Sequence, residues 1–166
     1  MLPSAHYFSG VILFWIMSHM NIIPRNSSYF ALVVACSVIA DFDYLFPREH
    51  RQLPTHTFAF WGTILVAIVI IRPDLWILAP PILLHLLMDL IDWGLMILYP
   101  FSRKLYGLKI LRLPTPKTFV DRSKTTKVGW ETKALYVKEY VGSRSMATLE
   151  ILLMIASIVL LGDIGF

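Results

Sequence analysis

Cysteine is almost missing from this chain: Cys36 is the one example in 166 residues. A disulfide framework and a cysteine-rich zinc site are therefore both excluded, and Cys36, inside an apolar run, reads as a small buried hydrophobe. Charge is scarce as well, at 16% of residues, where an ordinary soluble domain has roughly 25%. The N-terminus has no basic n-region and no small-residue cleavage pattern, so its apolar run is expected to stay as a helix rather than be removed as a secretion signal. There is no internal repeat, glycine-rich phosphate loop, nucleophile elbow or low-complexity tract. No nucleic-acid reading element is evident, and nucleic acid is not expected as a partner.

Apolar residues fill the space. They make up 57% of the chain, and the mean hydropathy is +0.65. A hydrocarbon core of ~30 Å needs ~20 helical residues, so long apolar runs are the units to count. Five are found, at 7–23, 28–40, 57–71, 75–99 and 147–166. The expected fold is all-α, a polytopic membrane helix bundle of about five transmembrane helices. Its length suggests a single membrane-embedded domain over 1–166. The second and third runs are short, which implies tilt or partial interfacial placement.

Lys and Arg set the orientation. Eleven of them, from Arg103 to Arg144, lie between the last two runs, so 103–145 is expected to be a basic cytoplasmic or interfacial insertion. Its "LKILRL" hints at a strand or hairpin, and "ETKALYVKEYVG" reads as a short helix. Working back along the chain puts the 47–56 loop, with Arg48 and Arg51, and the N-terminus inside, in a multi-pass protein of the cell (inner or plasma) membrane. Basic residues beside a bilayer also attract anionic lipid, at about 1 kcal/mol each.

That topology gathers the ionisable residues on one side. His6 stands at the inner mouth of the first run, Asp41 and Asp43 at the inner end of the second, and His50 and His56 around the inner loop. His85, Asp89 and Asp92 occupy the fourth run, spaced so that they share one stripe of a helix. His56 follows Thr55, read as an N-cap. Asp41 and Asp43 reach one site only where the second helix ends or unwinds. His19, near the outer end, stands apart. An Asp at the centre of a membrane helix costs ~2.5–3.5 kcal/mol on insertion scales, and such groups pair or bind something. Seven residues are therefore candidate ligands of a shared divalent metal: His6, Asp41, Asp43, His50, His56, His85 and Asp89. Nitrogen and carboxylate donors without thiolate suit zinc first, with manganese, iron or magnesium as alternatives. Seven donors exceed one tetrahedral ion, so one to three ions are expected, or carboxylates that orient histidines from behind.

The blocks "SAHYFSG", "ADFDY", "HRQLPTHT" and "HLLMDLIDWGLMILYPFS" resemble, in order and spacing, those of the YdjM-type membrane-bound metal-dependent hydrolases. That family carries a histidine opening its first helix, then "PDxDH", "HRxxTHS" and "HxxxDxxTxxG…P(F)" blocks. The resemblance runs from His6 to Ser102. This chain has Ala40 in place of the usual proline, Tyr44 in place of a histidine, one extra residue between His50 and His56, and Asp92 where threonine is common. The family is similar to the zinc-dependent phospholipase C and P1 nuclease group, which implies metal roles for the same seven residues and cleavage of phosphoesters. The expected function is hydrolysis of an ester or phosphoester of a membrane lipid at the cytoplasmic face by a metal-activated water. In that reading Arg51 clamps a phosphate oxygen, and Asp92, or Asp43, serves as general base. Membrane lipid is the expected substrate or environment. Two rivals use the same cluster: a divalent-cation or proton transporter, and a non-catalytic protein whose metal ties the helices together.

Overall fold

The computed structural model of the chain describes residues 3–45, 54–92, 95–102, 106 and 144–164; the side chains at 43–45, 54, 92 and 144–145 lie outside this set. Among the described residues the protein is all-α. Five helices form it: α1 (Pro3–His19), α2 (Ser27–Val38), α3 (Phe58–Ile71), α4 (Ala79–Asp92) and α5 (Arg144–Ile164). Tighter 3-10 turns cover Ile39–Leu45, Pro54–His56 and Pro73–Leu78. The basic segment, with its expected hairpin and short helix, lies almost wholly outside the described residues.

Local chemistry explains the helix ends. Pro3 opens α1, where a missing N–H costs nothing. At the other end Asn21 adopts φ 56°, the left-handed region that asparagine tolerates. The Ile22 N–H then reaches the Met17 carbonyl at 2.9 Å and the Asn21 N–H the Ser18 carbonyl at 3.1 Å, which satisfies the last carbonyls of the helix. Asn26 caps α2 by accepting from the Tyr29 N–H at 3.0 Å.

The fourth apolar run departs from its expected form. It is not one helix over 75–99. A 3-10 segment starts at Pro73, the α-helix begins only at Ala79, and it stops at Asp92. Pro80 and Pro81 fit the first turn of α4 because they have no N–H to leave unpaired there. Beyond the helix, Leu95 and Tyr106 exchange backbone hydrogen bonds of 2.7 and 2.8 Å in an antiparallel bridge. The apolar residues 97–101 form a turn. Two helical stretches, Pro73–Ile91 and Met146–Ile164, are long and apolar enough to cross a membrane, while Ser27–Phe42 and Phe58–Ile71 are apolar but shorter.

α1 packs chiefly on α2 and α5, and α2 also packs on α4. One apolar cluster joins Cys36, Ala40, Trp61, Leu65, Ile82, Leu86 and Leu95. A second, toward the other end, joins Phe14, Met17, Ile23, Val33, Ile77 and Ile164. Large apolar side chains also cover the outside of the bundle. Ile70 and Ile71 are 76% and 77% exposed, and Ile151, Leu152, Ile155, Ile158 and Val159 cover the outer face of α5. Polar side chains lie inside. Buried Ser9, Ser37 and Ser157 each donate to a carbonyl three residues back, at 2.7–2.8 Å, so their hydroxyls are satisfied while small side chains let helices approach closely.

Candidate metal centre

Four segments deliver the site. α1 supplies His6 from its first turns. α2 ends at Val38 and tightens at Ile39 into the 3-10 turn that carries Asp41. α4 contributes His85 and Asp89, one turn apart on its inner face. His56 ends the 3-10 turn ahead of α3. Here the expected cap is corrected: Thr57, not Thr55, caps α3, because its hydroxyl accepts from the Phe60 N–H at 3.2 Å. The Thr55 carbonyl is occupied otherwise, accepting from the Trp61 indole N–H at 2.6 Å. That bond and the Thr57 cap brace His56 on both sides.

All five side chains are buried, none more than 6% exposed. Asp89 touches all three imidazoles: its carboxylate oxygens lie 3.3 Å from His6 Nε2, 3.5 Å from His56 Nε2 and 3.5 Å from His85 Nε2. Asp41 repeats the arrangement at 3.8, 3.4 and 3.7 Å. The His6 and His85 rings stack with centroids 3.7 Å apart. His6, Asp41, His85 and Asp89 each offer one ligand atom, and these four atoms lie within 4.8 Å of one another.

Two observations say that this group fits a divalent cation. Among the described residues, His6 Nδ1 and Nε2, Asp41 Oδ2 and His85 Nε2 are buried without a hydrogen-bond partner, a state worth roughly 1–3 kcal/mol of destabilisation per group unless something else satisfies it. The second is spacing: the carboxylate–imidazole separations of 3.3–3.8 Å lie within a few tenths of an ångström of the about 3.4 Å between donors held at about 2.1 Å around a tetrahedral ion. The two carboxylates beside the imidazoles also carry negative charge that a divalent ion would cancel in a low-dielectric interior.

His85 is prepared for this role. Its Nδ1–H donates to the Ser37 carbonyl at 2.7 Å, which orients the ring so that Nε2 faces the two aspartates. Ser37 acts here through its backbone carbonyl, which no residue type marks; its position one turn before Asp41 is the one signal the sequence offers. Of the other candidates, His50 and Arg51 lie outside the described residues, as do the side chains of Asp43 and Asp92. His19 is exposed at the far end of α1 and stacks on Trp15 with centroids 4.4 Å apart. Cys36 is buried.

Comparison with family models, curated proteins and solved structures yields no significant match.

Proposed function

We propose that this chain is a membrane-embedded, metal-dependent hydrolase of the YdjM type that cleaves an ester or phosphoester of a membrane lipid at the cytoplasmic face. The observation that carries the reading is the convergence of three imidazole Nε2 atoms and two carboxylates, from four segments, inside a bundle whose exterior is apolar. The proposal includes five membrane spans with the N-terminus inside. The two long apolar stretches and the exposed isoleucines of α3 support it, as does the eleven-residue Lys/Arg excess between the last two runs.

Zinc is the first choice of ion, because three of the five donors are imidazoles. When bound, such an ion supplies Lewis acidity toward a phosphoryl or carbonyl oxygen and lowers the pKa of water. The protein's part is positioning. His6, His56 and His85 would offer their ring nitrogens to the ion, Asp41 and Asp89 would balance its charge, and the surrounding apolar residues exclude bulk water. Arg51 is proposed to clamp a phosphate oxygen, and Asp92 to take the proton from the attacking water.

Purified protein in detergent or nanodiscs tests this. Stoichiometric zinc or manganese, together with phosphate or fatty acid released from lipid vesicles and lost in His85→Ala, supports the hydrolase. Metal-dependent flux into proteoliposomes without lipid turnover assigns the cluster to transport. Bound metal with neither turnover nor flux makes it a structural tie.

A further inference from the structure

We propose that Gly10 is a positioning residue for the metal centre: its missing side chain sets the α1–α2 separation that seats His6 against Asp41 and holds the Ser37 carbonyl on His85. The inference rests on the metal-binding reading of the site and adds a residue that no donor chemistry points to.

The contact is very close. A Cβ at position 10 would fall 2.3 Å from Ser37 Oγ, 2.8 Å from Ser37 Cβ and 3.3 Å from Val34 Cα. Ser37 cannot swing clear. Its hydroxyl is committed to the Val34 carbonyl at 2.7 Å, and no rotamer moves its Cβ. Ordinary van der Waals distance is recovered only by moving the two helices apart, by about 1 Å in a close-packed interior.

The place of this contact gives it leverage. α1 and α2 run antiparallel, so His6, four residues before Gly10, and Asp41, four after Ser37, lie one turn away toward the same end. Their ligand atoms are 3.8 Å apart. The third donor is tied in through the backbone, since the Ser37 carbonyl accepts from His85 Nδ1 at 2.7 Å. One glycine contact thus governs donors on α1, on the turn after α2 and on α4. The chain also supplies its own controls. At Gly62 and Gly162 an added Cβ meets nothing within 4 Å.

The test uses the full chain in nanodiscs, with zinc affinity read by competition against a chromophoric chelator and ligand geometry by the visible spectrum of the cobalt(II) form. Gly10→Ala is expected to weaken binding by about 10- to 100-fold, the range seen when outer-shell support is lost, and to alter the cobalt spectrum. Gly62→Ala and Gly162→Ala should bind within about twofold of wild type. Ser37→Gly removes both clashing atoms but keeps the carbonyl, so the Gly10→Ala/Ser37→Gly pair should regain at least about tenfold of the loss. Should Gly10→Ala not fold, Ser37→Cys presses a larger atom on Gly10 from the other side and is expected to weaken binding severalfold. Wild-type affinity and spectrum in Gly10→Ala, or in Ser37→Cys where that variant stands in, overturn the inference while leaving the site intact. A double variant no better than Gly10→Ala does the same. A wild-type chain that takes up no zinc or cobalt overturns the inference and the site reading together.

Discussion

Asp89→Asn separates a metal centre from a polar packing cluster. The side chain is fully buried and lies 3.3–3.5 Å from all three imidazoles. Asparagine keeps its shape but has no charge, and its amide can both donate to and accept from neutral imidazole nitrogens. With metal at about a hundred times its Kd, binding to the folded state alone adds about 2.7 kcal/mol to stability. For a chain of this size that is a Tm increase of about 5–11 °C. Wild type should show this increase when zinc replaces chelator, and Asp89→Asn should lose most of it. In chelator the order is expected to level or reverse, because the variant removes one of two buried charges that no cation offsets. Thermal unfolding followed by tryptophan fluorescence, in chelator and in excess zinc, supplies the four numbers. If Asp89→Asn unfolds lower by the same margin in both conditions, the carboxylate is packing glue and the metal argument is wrong.

Three further outcomes are expected. Trp61→Phe removes the 2.6 Å bond to the Thr55 carbonyl beside His56; it should cost about 1–3 kcal/mol and weaken zinc binding by about tenfold, and unchanged zinc affinity would mean that His56 needs no such brace. Asp163→Asn disturbs the far end of the bundle, where Asp163 accepts from the Trp15 indole at 2.8 Å and pairs with Arg25 at 3.2 Å; zinc affinity should stay within about twofold, and a larger drop would mean that the two ends of α1 are coupled. Asn21→Val forces a β-branched residue into φ 56° and should lower stability by about 1–2 kcal/mol with zinc affinity unaltered, as read by denaturation and by the chelator competition.

Hydropathy alone marked where α1, α2, α3 and α5 lie, because each is a continuous apolar run. It overran the fourth. Pro73, Pro80 and Pro81 confine the helix from one side, and a tertiary bridge from Leu95 to Tyr106 claims the backbone on the other; an apolar count is blind to both. The site was legible as chemistry. His6, Asp41, His56, His85 and Asp89 were all marked by being ionisable where ionisation is costly, and the structure brings the first, second, fourth and fifth into one group with His56 against both aspartates. What stayed hidden was backbone and empty space: the Ser37 carbonyl has no letter of its own, and a glycine is silent until its neighbour across the interface is known. The shift of the α3 cap from Thr55 to Thr57 has the same origin, since two threonines two residues apart look equally fit until an indole claims one carbonyl.

The scattering of the donors along the chain bears on how the protein is made. While only α1 and α2 are in place, His6 and Asp41 have no shelter from α4, and both are costly to hold in apolar surroundings without partners. Each added helix conceals more of that stranded polarity, and the last of it disappears when α4 docks. A nascent chain arrested midway therefore carries exposed polar groups that the finished fold conceals.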